Sequence, residues 1–365
     1  MRIAIIHDDL MRRGGGEQVV LSMLKAFPNA DLYTLCYNPD LTYPEFKSFK
    51  IYTSIYQRLA KNEKLMKWLF FPFGLLAMKL MYINNYDVVL ISGTYCAKYA
   101  RINKKSKVYI YTYTPFRLAW NPTSYKEYNE SKGIMRLLFN IVIKILRTID
   151  RREAQKGDIF FAMTEETAQR IRDAYQVTNI IIIHPPVKSN NFYVHEHGNK
   201  DYYLIVSRLE FYKKVDLAIE VFNELGLPLI IVGNGSKKNE LKKMAKANIK
   251  FESGLSVLEL KNLYANCKAF IFPQYEDYGI TPLEANASGR PVIAYAFGGV
   301  LETMVPHENE YKPFTSIFFK EQTKDCLINA VKLLECLDIN STYIRSHAMK
   351  FDEEVFVNEL IKIIK

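Results

Sequence analysis

Residues 202–232 read YYLIVSRLEFYKKVDLAIEVFNELGLPLIIV. Tyr202–Val206 and Leu229–Val232 are short apolar runs, the pattern of strands buried on both faces, and Val215–Leu225 between them has the spacing of an amphipathic helix. Strand, helix, strand is the unit of a parallel sheet, because parallel neighbours need a covering crossover. The alternation continues downstream. Lys237–Lys246, Val257–Asn266 and Leu283–Ser288 read as helices, and Ile249–Glu252, Ala269–Phe272 and Val292–Tyr295 as strands. Upstream, Ile3–His7, Asp87–Ser92, Lys107–Tyr113, Asp158–Met163 and Ile180–His184 read as strands, with helices at Glu17–Phe27 and Glu165–Ala174.

The two series are separated by residues 185–200, which hold Pro185-Pro186, Asn190-Asn191 and Gly198-Asn199, a linker composition. The expectation is an α/β protein of two doubly wound, Rossmann-like domains, 1–190 and 200–345. Ligands of such sheets bind beyond the carboxyl ends of the strands. Two such domains facing each other would enclose a deep cleft.

Composition agrees with this expectation. The 365 residues are 49% hydrophobic and 24% charged, enough for two packed cores. Arg2-Ile3-Ala4-Ile5-Ile6 enters a core strand directly, and no signal-peptide pattern is expected. Five cysteines, odd in number and without a C-x-x-C pair, argue for a reducing compartment and against a disulfide frame or a zinc site. Residues 1–195 carry 28 Lys and Arg against 16 Asp and Glu, a net of +12; residues 196–365 carry 21 against 23, a net of −2. A basic first half points to an anionic partner or is simply a solvated surface. Nucleic acid ranks below a membrane or a lipid pyrophosphate, because no helix-turn-helix, zinc-finger or RNP signature accompanies the charge.

Two apolar stretches bear on the membrane. Trp68–Met78, flanked by Lys67 and Lys79, is too short to span a bilayer and is interrupted by Pro72 and Gly74. Ile134–Ile149 has a helical pattern with Arg136, Lys144 and Arg147 among its apolar residues. It reads equally as a membrane-surface helix or as a core helix with a cationic outer face.

Three features carry chemistry. After the first strand, His7-Asp8-Asp9 leads to Gly14-Gly15-Gly16-Glu17 and a helix. Such a turn can bring backbone N–H groups to an anion or merely turn the chain. After the Tyr202–Val206 strand come Arg208 and Lys213, a spacing that could clamp a diphosphate or form a basic loop. After Ala269–Phe272 comes Pro273-Gln274-Tyr275-Glu276-Asp277-Tyr278-Gly279-Ile280-Thr281-Pro282-Leu283-Glu284. Here Gly279 is placed in the turn, Thr281 at the N-cap and Pro282 at the first helical position. Glu276 and Glu284 suit a hydroxyl-rich ligand, or an acid/base pair for hydrolysis.

Gly14–Glu17, Arg208 with Lys213, and Glu276-x7-Glu284, in this order, resemble the retaining glycosyltransferases of family 4, which have the GT-B fold. Tyr202–Thr303 is especially similar, and the chain looks most like the bacterial mannosyltransferase-like branch that builds O-antigen lipopolysaccharide, capsule or exopolysaccharide. The resemblance implies a hexosyltransferase. Arg208 and Lys213 would hold the donor diphosphate, Glu284 the ribose and Glu276 the transferred sugar. Amides near Gly279, Ile280 and Thr281 would face the donor, Gly15 and Gly16 would approach its phosphates, and Ser253-Gly254-Leu255 would lie against the base. It implies front-face attack with retention of configuration. The nucleotide-sugar would be a co-substrate, with no cofactor and no metal. The acceptor would be a lipid-linked or growing glycan, with GDP-mannose a candidate donor. Residues 346–365 would pack back toward the first domain. With the basic first half, this suggests a cytoplasmic, peripheral protein on the inner face of the plasma membrane.

There is one departure. That branch often has His-Thr-Pro after a first-domain strand; here it is Tyr113-Thr114-Pro115, followed by Phe116-Arg117. Tyrosine cannot copy a histidine's charge switching near neutral pH. His7, Tyr113 and Arg117 are the candidate acceptor-side residues. A non-catalytic nucleotide-sugar-binding protein and a transferase with a soluble sugar acceptor are the competing readings.

Overall fold

The computed structural model describes residues 1–59, 69–195 and 201–365. Lys67 and Trp68 of the first apolar stretch, and Gly198-Asn199 of the linker, lie outside the described residues. The chain forms two compact units, Met1–His184 with Phe356–Lys365, and Pro185–Val355. The division therefore falls at His184, ahead of the expected position at residue 190. Pro185–Asn191 belongs to the second unit because it is bonded there: Tyr278 donates its hydroxyl to the Pro185 carbonyl at 3.1 Å, and the Val187 amide donates to Phe351 at 2.9 Å.

In the first unit the strands are β1 (Ile3–His7), β2 (Asp31–Thr34), β3 (Ile51–Thr53), β4 (Tyr82–Ile83), β5 (Val88–Gly93), β6 (Arg101–Ile102), β7 (Lys107–Thr112), β8 (Ile159–Ala162) and β9 (Ile180–Ile182). Seven of them form a parallel sheet in the order β3-β2-β1-β5-β7-β8-β9, and β4 pairs with β6 apart from it. The helices that concern the site are α1 (Gly15–Ala26), α2 (Leu75–Leu80), α3 (Gly133–Ala154) and α4 (Glu165–Tyr175). β1 and β5 are central, and every residue of both is buried. Each fully buried aliphatic side chain there contributes roughly 1.5–3 kcal/mol. Helix α4 starts where Thr164 Oγ1 accepts the Thr167 amide at 3.2 Å, an N-cap bond.

The second unit holds β10 (Tyr203–Val206), α5 (Val215–Leu225), β11 (Leu229–Val232), α6 (Lys238–Met244), β12 (Ile249–Glu252), α7 (Val257–Asn266), β13 (Ala269–Phe272), α8 (Ile280–Ala287), β14 (Val292–Tyr295), β15 (Ser316–Phe319), α9 (Lys324–Glu335) and α10 (Ser341–Ala348). Its six-stranded parallel sheet runs β12-β11-β10-β13-β14-β15. Helix α7 opens on a capping box between Ser256 and Glu259. Gly226, at φ +69°, ends α5 in the left-handed conformation that glycine adopts without strain. The last helix, α11 (Glu353–Ile364), follows, and its Phe356 ring lies 5.9 Å from that of Tyr111 in the first unit's core.

Candidate functional site

Strand order reverses in each sheet, between β1 and β5 in the first unit and between β10 and β13 in the second. Loops after parallel neighbours emerge at the same edge, so this is where side chains from distant sequence positions meet.

In the second unit the loop after β10 is held by the loop after β11. Ser207 donates to the Val232 carbonyl at 3.1 Å and Leu209 to the Asn234 carbonyl at 2.9 Å. The backbones approach so closely that a Cβ on Gly233 would lie 1.9 Å from the Ser207 carbonyl oxygen, and one on Gly235 would lie 2.3 Å from that of Leu209. Glu210 accepts the amide and hydroxyl of Ser236 at 2.9 and 2.5 Å. These bonds hold its carboxyl below the usual range. This scaffold presents Arg208, whose guanidinium is exposed, and Lys213, which is buried. Both cations flank the Tyr212 ring, at 5.9 and 5.3 Å from its centre.

The loop after β13 supplies the counter-charge, for the Glu276 carboxylate pairs with the Lys213 ammonium. Its backbone is fixed by the loop after β14. Gly299 donates to the Glu276 carbonyl at 3.0 Å, and a Cβ on Gly298, at φ +84°, would lie 2.3 Å from that oxygen. Gly279, at φ +91°, then turns the chain into α8. The helix begins at Ile280, so the N-cap is Gly279 and not Thr281, and Pro282 is the third helical residue and not the first. A proline is accepted there because first-turn N–H groups have no intrahelical acceptor, which also leaves the amides of Ile280 and Thr281 available.

Glu284, one turn into α8, is half-buried and accepts the Tyr264 hydroxyl at 2.8 Å. Burial pushes its carboxyl up to about 7, and the tyrosine's bond opposes the shift. Gly254 has φ +72° with open space where a Cβ would stand, so its requirement is conformational. The neighbouring Ser253 hydroxyl meets Lys238 Nζ at 2.9 Å.

The first unit builds a second polar cluster. Asp8 receives four backbone amides of the loop after β5: Thr94 and Tyr95 on one oxygen, at 2.6 and 3.2 Å, and Cys96 and Ala97 on the other, both at 2.8 Å. Asp9 accepts Arg12 at 2.7 Å and the Tyr95 hydroxyl. Arg12 also lies 3.5 Å from Glu17, whose carboxyl is pushed up by burial against the opposing pull of His7 and Arg12. Gly15 and Gly16 open α1, two residues before its expected start. Gly16 sits against two of the three candidate acceptor-side residues, since a Cβ there would be 3.5 Å from Tyr113 and 3.6 Å from the His7 ring. His7 Nδ1 bonds the Ser92 carbonyl at 2.8 Å. The Tyr113 hydroxyl donates to the Gly16 carbonyl at 3.0 Å and lies 2.7 Å from Ser92 Oγ. Arg117 is not part of this arrangement; it is exposed on the short helical turn Arg117–Trp120.

The geometry thus joins Arg208, Lys213 and Glu276, places Gly279–Thr281 and Glu284 on the adjoining turn, and gathers Gly16, His7 and Tyr113 in the other unit. The sequence reading did not foresee Tyr264, the Glu210–Ser236 latch or the Asp8 hub. Asp8 stands in His7-Asp8-Asp9 at the strand end, but four converging amides cannot be read from a string. Among the described residues, no three His, Cys, Asp or Glu side chains converge as a metal site.

Residues 188–348 match the family model of glycosyl transferases group 1. The chain is 23% identical over 384 aligned positions to the alpha-1,3/1,6-mannosyltransferase ALG2 of Dictyostelium discoideum, covering 88% of this chain and 89% of that protein. It is 28% identical over 105 residues to the O-antigen chain mannosyltransferase C of Escherichia coli, covering 27% of this chain and only 28% of that protein. Among solved structures, Anabaena HepE in complex with UDP superposes with a TM-score of 0.70 at 12% identity, over 100% of this chain and 99% of that one. The fold is α/β with two Rossmann-like domains, that of the GT-B glycosyltransferases. The group 1 match covers the unit that carries Arg208, Lys213, Glu276 and Glu284.

Proposed function

We propose that the chain is a retaining, metal-independent hexosyltransferase of family 4. It would move a hexose, with mannose as first candidate, from a nucleoside diphosphate sugar to a lipid-linked or growing glycan. The observation that carries this reading is the Lys213–Glu276 pair at the strand-order reversal of the unit matching group 1 glycosyl transferases. A buried ammonium with an exposed guanidinium beside it suits a diphosphate, whose charge grows as the bond to the sugar breaks. Glu276 would accept hydroxyls of the transferred sugar, and Glu284 those of the ribose. With two cations on the leaving group, no metal is needed to neutralise it. The acceptor hydroxyl attacks C1 on the face the diphosphate leaves, its proton passes to a departing phosphate oxygen, and the anomeric configuration is kept.

The mannosyltransferase relatives support the choice of sugar, and the UDP complex of HepE keeps uridine nucleotides in the first screen. The test is release of nucleoside diphosphate from UDP- and GDP-hexoses in the presence of EDTA, with acceptor lipids added. The anomer of the product is read by NMR. A retained anomer formed in EDTA supports the reading. An inverted product, or turnover that EDTA abolishes, overturns it. Donor binding without turnover under every acceptor would favour a non-catalytic binding protein.

A further inference from the structure

Helix α3 turns most of its apolar residues outward. Ile143, Leu146, Asp150 and Ala154 form its buried face. On the opposite side Ile134, Leu138, Ile141, Ile145 and Ile149 make one stripe at helical spacing, with Ile134 77% and Ile145 54% exposed. The stripe runs about 22 Å along the helix axis. Folded chains seldom leave an apolar patch of this size to water. The core-packing reading of this segment therefore fails for its apolar face.

The charges around the stripe say what covers it. No acidic residue occurs between Glu130 and Asp150. Asp150 is buried and already taken by Lys98 at 2.9 Å, Trp120 at 2.9 Å and Tyr99 at 3.0 Å. Along one flank of the stripe lies a shallow recess lined by Lys144, Arg147, Arg151 and Arg152. Arg147 and Arg151 are braced by backbone carbonyls, of Ala119 at 2.7 Å and Ala174 at 2.8 Å, which hold them in place without neutralising them. Lys144 and Arg152 have no ion-pair partner among the described residues. An apolar protein partner would leave these cations without counter-charge. A second copy packed on the same face would bring two such basic recesses together. An anionic bilayer satisfies both features, apolar stripe in the acyl boundary and cations on the phosphates. Among the described residues no helix is long and apolar enough to cross a membrane.

We propose that α3 seats the first unit on an anionic membrane surface, with the Ile134–Ile149 stripe in the headgroup–acyl boundary and the Lys144/Arg147/Arg151/Arg152 recess on lipid phosphates. The inference stands apart from the transferase reading, and its test uses no nucleotide sugar. The full chain is sedimented with vesicles of phosphatidylcholine alone or with about 30% phosphatidylglycerol. Pelleting is expected with the anionic vesicles, weakening as salt is raised. Ile141→Glu/Ile145→Glu is expected to abolish it, and Lys144→Glu/Arg152→Glu to weaken it by more than about tenfold. All four side chains are exposed, so melting temperatures should match the wild type; Ile141→Ser/Ile145→Ser is the milder pair if the first does not fold. No pelleting on anionic vesicles, or equal pelleting of all variants, would overturn the proposal. So would a dimer in sedimentation velocity that Ile141→Glu/Ile145→Glu dissolves, with no vesicle binding.

Discussion

Lys213 and Glu276, 63 positions apart in sequence, form an ion pair between the loops that follow the neighbouring parallel strands β10 and β13. The ammonium is buried and the carboxylate partly exposed. Removing the carboxylate therefore takes the paired counter-charge from a buried ammonium. Glu276→Gln is expected to lower stability by about 1–3 kcal/mol in urea unfolding. Lys213→Met/Glu276→Gln should recover part of that loss, with a coupling of about 0.5–3 kcal/mol in the double-mutant cycle. Strict additivity would show that the pair contributes nothing.

Glu284 should give the protein a pH-dependent component near neutrality. Its carboxyl is raised by burial from 4.5 to about 7. A carboxyl that holds its proton more tightly when folded adds stability below its unfolded pKa, and this is lost as pH rises through about 7. Glu284→Gln has no proton to lose. Relative to wild type it should gain about 2 kcal/mol of stability between pH 5 and pH 8. Affinity for nucleoside diphosphate should rise through the same window in the wild type, because under the proposed function the ionised carboxylate would accept the ribose hydroxyls. Tyr264→Phe, which removes the bond favouring the ionised form, should move that midpoint upward. Calorimetric titrations across the range check both directions.

Two glycines should separate scaffold from ligand approach. Gly298→Ala forces a Cβ to 2.3 Å from the Glu276 carbonyl at a left-handed φ, so it should destabilise the second unit by several kcal/mol, at least about 2. Gly16→Ala meets only ordinary contacts, with Tyr113 at 3.5 Å, and sits in the first turn of α1. It should melt within a few degrees of wild type, or above it, yet lose about tenfold or more in transfer, because the added methyl blocks approach to the backbone. Unchanged transfer in Gly16→Ala would remove this glycine from the site.

Tyr113 should position rather than transfer protons. Its hydroxyl is engaged by Gly16 and Ser92, and burial pushes it well above its ordinary value. Tyr113→Phe should cost about 1 kcal/mol of stability and a modest fraction of kcat, with the pH–rate profile unmoved. A profile that loses one limb would assign the phenol a proton-transfer role.

The sequence is most transparent where both sheet faces are covered. β11, β13 and β14 fall on the residues expected from their apolar runs, because buried parallel strands need continuous apolar sequence. β12, Ile-Lys-Phe-Glu at the sheet edge, also falls where expected, though only Ile249 of it is buried. β2 and β3 were not foreseen: Asp31-Leu32-Tyr33-Thr34 alternates buried and half-buried residues, and β3 is a three-residue edge. β15 is also an edge strand, entered through Pro313 and small polar residues. In the site, Arg208, Lys213, Glu276 and Glu284 could be named from their order after strands. Their pairing could not, because Lys213 meets Glu276 only once β10 and β13 are known to be neighbours. The glycines at 233, 235, 298 and 299 acquire meaning only from the backbones they touch.

The most direct test of the nucleotide site is a thermal-shift titration with UDP and GDP in EDTA, on the wild type, Lys213→Met and Glu284→Ala. A ligand that binds only the folded state raises the melting temperature by mass action. One of the two nucleotides is predicted to raise that of the wild type by several degrees, about 2.7 kcal/mol of stabilisation at a hundredfold excess over Kd, and both variants to lose most of the shift. No shift with either nucleotide, or equal shifts in all three proteins, would contradict the assignment of Lys213 and Glu284 to the donor.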